Sequence, residues 1–284
     1  MKEKRLKWVL VAPALTMIIA LIIFPLIYAL RASLYLFRYG KAVQFVGLQH
    51  FVELFKTPLV LNAVTNTAIY TVIAVSAEFL LGLLLALLMN REIRGFSRPV
   101  RAALTIPMFV APIVVGIIWR MIYNPQYGLF DWIFGIRNFA PTGGDHALYF
   151  VILADVWQWT PFMYIIILAA LQSVSPELIE ASIIDGAGQW QRTLRIILPS
   201  ISAALVIAFT LRFMDATKAL DIIYTLTFGG PGAATETVGF MIFRLAFNDI
   251  RIGTATAVSW LYTILISIIL SFFMSWLNRR YEIV

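Results

Sequence analysis

Six long apolar runs, set apart by short polar stretches, give this chain its pattern. They lie at about 8–30, 64–89, 100–122, 148–172, 198–217 and 254–277, and each offers the ~20 mostly apolar residues a helix needs to cross a bilayer. The apolar positions run on without alternation, which favours helices over the strands of a membrane barrel. The pattern predicts an all-α, polytopic membrane protein with six transmembrane helices, forming one domain over residues 1–284. The loops at about 31–63, 123–147 and 218–253 leave no room for a separate soluble domain. Pro125, Gly128, Pro141, Gly143 and Gly144 make the second of these turn-rich, and Gly229, Gly230, Pro231 and Gly232 force a turn in the third. No strong internal repeat or low-complexity tract interrupts the pattern.

Composition agrees with the pattern. With 61% hydrophobic and 13% charged residues among 284, the chain carries more apolar surface than a soluble domain could hide. Charge adds orientation. Lys2, Lys4, Arg5, Lys7, Arg91, Arg94, Arg98, Arg101, Arg192, Arg195, Arg279 and Arg280 fall at the two ends and in the even-numbered loops. The odd loops hold Arg31, Arg38, Lys41, Lys56, Arg137, Lys218, Arg244 and Arg251 on about twice as much chain. By the positive-inside rule both termini are expected in the cytoplasm, with the chain multi-pass in a cell membrane. The net charge of +7 then faces anionic lipid, and no basic patch interleaved with aromatics points to nucleic acid. The first run follows a basic lead but is too long for a signal-peptide core, so it is read as a retained signal-anchor. The chain has no cysteine, which excludes disulfides and thiolate metal sites.

One polar interruption is unlike the others. Ser175-Pro176-Glu177 has the makings of a helix start: a serine cap, a proline at the first helical position and an acid near the positive end of the dipole. A short helix is expected to about Ile184, closed at Asp185-Gly186, where glycine takes the left-handed cap. A second amphipathic stretch, Gln189 to Leu198, then leads to Pro199. An ordinary interfacial connector would share this character.

The residues themselves are more specific. Glu180-Ala181-Ser182, Asp185-Gly186-Ala187 and Ile197-Leu198-Pro199 resemble the EAA motif of permease subunits in binding-protein-dependent ABC importers, with Ser182 in place of the commoner second alanine. Gly47-Leu48 with Phe51, the run Leu84 to Asn90, Trp119 with Asn124-Pro125 and Gly128, and Thr227-Phe228-Gly229-Gly230-Pro231 are similar to the carbohydrate branch of that family. Within it the chain looks like the first permease of sugar, polyol and glycerol-phosphate importers, without the large second extracytoplasmic domain of the enterobacterial maltose type. The resemblance implies the type I permease fold, with the loop at about 173–197 as a coupling helix docked on an ATPase. Glu180, Ala181, Ser182, Asp185, Gly186 and Ala187 would then carry the coupling. It implies partners: a second permease in a heterodimer, two copies of the ATPase, an extracytoplasmic solute-binding protein and a carbohydrate substrate, in a bacterial or archaeal membrane. No cofactor is expected in this chain, ATP and Mg being held by the ATPase; the sequence has no G-x-x-x-x-G-K-[ST] to cradle phosphates.

Ionisable residues inside spans are costly and tend to pair or to serve function. Glu78 lies in the second run; Asp155, Trp157, Gln158, Trp159 and Thr160 form a polar-aromatic step in the fourth. Arg212 and Asp215 stand three apart in the fifth and can meet on one helix face, as a packing pair or as part of a site. Aromatic faces beside hydrogen-bonding groups suit a sugar ring. Aligned with maltose-type large permeases, the lining positions of that family fall on Met108, Pro112, Asp155, Gln158, Trp159, Phe162, Arg212, Ala216 and Ala219. Arg212 at such a place would favour an anionic sugar derivative. His50 and His146 are isolated and read as surface histidines, with no metal or catalytic set around them. Two other classes remain: an intramembrane enzyme, for which only Glu78, Asp155 and Asp215 are available, and an ion-coupled secondary transporter. The latter calls for inverted repeats and broken helices, and the sequence displays neither.

Overall fold

A computed structural model describes residues 2–38, 40–90, 97–135 and 140–281. Arg91, Arg94 and Arg137, used above for orientation, lie outside them. The described residues form two compact units, one up to Val60 joined by Met241–Leu270, the other Leu61–Phe240 with the residues from Ser271.

The first unit opens with α1 (Lys2–Ile18), a π-turn at Ile19–Ile23 and α2 (Phe24–Ser33). The π-turn ends two residues before Pro25, whose missing N–H cannot continue the α-helical ladder; the amide of Phe24 reaches back to the carbonyl of Ile19 instead. Leu10–Ser33 is long and apolar enough to span a membrane. A hairpin follows, β1 (Tyr35–Arg38) antiparallel to β2 (Lys41–Phe45) with a register shift between Leu36 and Phe37, then α3 (Gln49–Lys56). The apolar-run pattern does not reveal this hairpin, because it lies wholly in a loop. His50, expected at the surface, is buried: its ring nitrogens meet the carbonyl of Tyr35 at 3.2 Å and the hydroxyl of Thr254 at 3.4 Å. Polar partners within the unit make that burial tolerable. His146 is exposed, as expected.

The second unit is built on α4 (Pro58–Met89) and α8 (Ala147–Gln172). Along α4 the buried residues Ala63, Asn66, Thr67, Tyr70, Thr71, Ala74, Val75, Glu78, Gly82 and Ala86 recur at helical spacing, one face turned inward. Its first half pins the glycine-rich turn. Asn62 and Asn66 donate to the carbonyl of Ala233 at 2.8 and 3.1 Å, and Thr67 accepts from the amide of Val238 at 2.9 Å. Between α4 and α8 come α5 (Ser97–Thr105), a 3-10 turn (Ile106–Phe109), α6 (Pro112–Ile122) and α7 (Leu129–Phe134).

Four single helices meet the length and apolarity of a span, and six do if each of two bent pairs counts as one, in keeping with six apolar runs. The bends correct the expectation that no helix is broken. Pro99–Phe109 meets α6 at 97°, because Val110 and Ala111 are extended and Pro112 disfavours a helical residue before it. The second break lies between Gln189–Ser200 and α12 (Ser202–Ala216), at 68°. There α10 (Gln189–Arg192) passes through a π-turn (Thr193–Ile197) into α11 (Leu198–Ser200), the π-turn again ending two residues before a proline, Pro199. The first break follows from proline placement, so a broken span in this chain does not distinguish a secondary transporter. The chain continues through α13 (Asp221–Leu226), α14 (Val238–Phe243), a π-turn (Arg244–Asn248) and α15 (Ile252–Tyr281).

Candidate functional site

Two places in the second unit gather the residues singled out by sequence. The first is α9 (Pro176–Ile184), which follows α8 after a three-residue link. The hydroxyl of Ser175 accepts from the amide of Leu178 at 3.4 Å, and Pro176 holds the first helical position. At the far end the amide of Gly186 donates to the carbonyl of Ile183 and that of Ala187 to Ser182, both at 3.0 Å. This pair of bonds is a Schellman cap, and Gly186 supplies its left-handed residue at φ +75°. Ser182 is buried and bonds back to the carbonyl of Ile179 at 2.6 Å. Glu180, Ala181, Asp185 and Gly186 are exposed, with Ala187 half-buried. Beside them the apolar side chains of Ile183 and Ile184 are also exposed, Ile184 at 86%. The result is a short, rigid knob with an apolar tip.

The second place lies within the helices. Arg212 on α12, 2% exposed, donates through Nε to Oε2 of Glu78 at 2.7 Å and through Nη2 to Oε1 of the same carboxylate at 3.0 Å. Nη2 also bonds Oδ2 of Asp155, and Nη1 bonds Oδ2 of Asp215 at 3.2 Å. The guanidinium lies over the indole of Trp159, 5.2 Å from its centre. So Arg212 and Asp215 do meet, but as part of a larger cluster that joins α4, α8 and α12. Charges this deep are held only with such pairing.

A cavity of about 120 Å³ opens beside the cluster, lined by Tyr70, Pro112, Asp155, Gln158, Trp159, Arg212, Asp215, Lys218, Ala219, Leu220, Asp221 and Ile222. Six of the nine proposed lining positions therefore reach it. Met108 and Phe162 are half-buried elsewhere, Phe162 edge-on to Trp159 at 6.2 Å, and Ala216 is buried behind the wall. Gln158 Nε2 donates to the carbonyl of Val110 at 2.8 Å, at the break of the third span. Its Oε1 is buried without a partner, and so is the hydroxyl of Tyr70, which stands beside the Asp155 carboxylate without a hydrogen bond of normal geometry. Sequence reasoning missed Tyr70, Leu220, Asp221 and Ile222 as lining residues. The inward stripe of α4, with Tyr70 and Glu78 eight positions apart on it, was the available signal for the first.

Comparisons with known proteins give the family of the chain. The model of the family described as "Binding-protein-dependent transport system inner membrane component" matches residues 78–283. Among similar relatives is the trehalose/maltose transport system permease protein MalF of Thermococcus litoralis, 34% identical over 263 residues that cover 90% of this chain and 89% of that one. The sn-glycerol-3-phosphate transport system permease protein UgpA of Pectobacterium atrosepticum is 33% identical over 270 residues, 92% of this chain and 90% of its own. A chain of the bacterial alginate ABC transporter, solved in complex with its pentasaccharide-bound periplasmic protein, superposes with a TM-score of 0.85 over 98% of this chain and 96% of its own, at 23% identity. That likeness is one of fold. By sequence over most of its length, this chain belongs to the family of inner-membrane components of binding-protein-dependent transport systems.

Proposed function

We propose that this chain is the transmembrane subunit of an ATP-driven importer that moves a sugar, sugar derivative or polyol by alternating access. The observation that carries the reading is mechanical. Helix α8 bears Asp155, Gln158 and Trp159 at the cavity and runs on into α9, while α12, bearing Arg212 and Asp215, follows α9 through α10 and α11. The knob thus joins two helices that line the cavity, α8 and α12, and a push on it is delivered to both. A partner ATPase in two copies, holding ATP and Mg, would grip the knob through the apolar tip at Ile183 and Ile184 and the Glu180–Ala187 surface.

A second permease would complete the pathway, and a loaded extracytoplasmic binding protein would dock on the opposite side. Both termini would then lie in the cytoplasm, a reading that the distribution of Lys and Arg supports. The carbohydrate assignment draws on relatives named for trehalose, maltose and sn-glycerol-3-phosphate transport. Affinity purification of the tagged chain from its native membrane, with partners identified by mass spectrometry, tests the reading. Co-purification of an ATPase and a second permease, with hydrolysis stimulated by a loaded binding protein, is the expected result. A chain that purifies alone and monodisperse would overturn it.

A further inference from the structure

Arg212 offers the chain's deepest positive charge to the cavity, yet little of it is free. Of its five N–H donors, Nε, both of Nη2 and one of Nη1 are taken by Glu78, Asp155 and Asp215. The cavity lining holds three carboxylates (Asp155, Asp215 and Asp221) against two cations, Arg212 and Lys218, a formal charge of −1, while Glu78, outside the lining, pairs with Arg212. Two of the residues that line it also carry a buried polar atom without a hydrogen-bond partner of normal geometry: Gln158 through Oε1, an acceptor, and Tyr70 through its hydroxyl, which stands beside Asp155. Each is on a side chain at most 1% exposed, and an unpaired buried polar atom is stabilised by any ligand that supplies its hydrogen bond.

We infer that the cavity is a charge filter: it takes a neutral, hydroxyl-rich ligand and rejects its phosphorylated or acidic counterparts, with Glu78 and Asp155 setting the selectivity by consuming Arg212. This rests on the carbohydrate-importer reading and narrows its substrate. A sugar or polyol hydroxyl donates to Gln158 Oε1 and to the carboxylates, accepts from Tyr70, and lays an apolar ring face on Trp159. A phosphate meets net negative charge and a guanidinium already coordinated. The expectation that Arg212 selects an anionic derivative is thereby reversed. Glu78 lines no part of the cavity and acts through Arg212, as a positioning residue.

Saturation-transfer NMR on the complete permease–ATPase complex in nanodiscs, without binding protein, tests this on the transport core alone. The probes are two matched pairs: trehalose with trehalose 6-phosphate, and glycerol with sn-glycerol 3-phosphate. A neutral member of at least one pair is expected to bind, its ester at least about tenfold more weakly, the ratio that ~1.4 kcal/mol of repulsion gives. Tyr70→Phe should weaken the neutral ligand several-fold. Glu78→Gln, which keeps the shape and removes one charge, should narrow the gap between neutral ligand and ester; Asp155→Asn should do the same if the first variant does not assemble. An ester that binds as well as its neutral partner in the wild type overturns the filter. If none of the four binds while a loaded binding protein still stimulates hydrolysis, the filter is overturned and the importer reading stands. If that stimulation is missing too, the reading itself falls.

Discussion

The knob at α9 and the cluster around Arg212 are built by opposite means. Every bond that shapes the knob joins residues within a few positions of each other: Ser175 to Leu178, Ile183 to Gly186, Ser182 to Ala187. The cluster joins Arg212 to Glu78 across 134 positions and to Asp155 across 57. A local device can be changed with little effect on the rest of the molecule. A long-range one holds three helices together and fails as a unit. The part proposed to transmit force is therefore separable from the part that keeps the helices assembled.

The strongest way to break this comparison is Arg212→Ala. It leaves Glu78 and Asp155 buried side by side without their cation, and removing one partner of a buried pair costs about 3–5 kcal/mol. The purified complex should lose its cooperative thermal transition or shift it far down; a melt close to that of the wild type would show that the cluster does not hold the helices. Gly82→Ala probes the same assembly without charge. Its Cβ would come within 2.6 Å of Met163 Cβ and 2.9 Å of the Tyr164 amide, where α4 approaches α8, so overpacking should cost about 1–3 kcal/mol in the same melt.

Gly186→Asp sharpens the other side. An added Cβ would meet nothing within 4 Å, so only the φ of +75° resists it, at about 1 kcal/mol confined to the cap. The global melt should barely move while hydrolysis and uptake become uncoupled; intact coupling would remove α9 from its role. Ser175→Ala is the mildest test. A cap bond of 3.4 Å is long, and about 0.5 kcal/mol should vanish with it, visible as faster amide exchange in α9 and nowhere else.

The same division governs what the sequence disclosed. Cap residues, the left-handed glycine and proline positions act on their own neighbours, so the bounds of α9 could be read from Ser175-Pro176-Glu177 and Asp185-Gly186. The six apolar runs and the Arg212–Asp215 pairing are local patterns as well. The docking of Glu78 against Arg212 is not, because nothing near Glu78 names its partner on another span. His50 was misjudged for a related reason: a single histidine in a polar loop carries no sign that Tyr35 and Thr254 will enclose it. The break at Val110–Ala111 was within reach, since Pro107 and Pro112 flank it, but two prolines in an apolar run are also compatible with a kinked continuous helix.

The side chain of Gln158 ends in a flat amide whose two arms turn together. A carbonyl can only accept, so the nitrogen must be the arm that faces Val110, and the oxygen is left buried without a partner. Anything that draws the oxygen aside therefore also drags the nitrogen from the one backbone group it supports at the break in the third span. Occupancy and helix geometry at that point are reciprocally linked: a ligand that prefers one amide orientation biases the break, and a shift of the break changes affinity by the same factor.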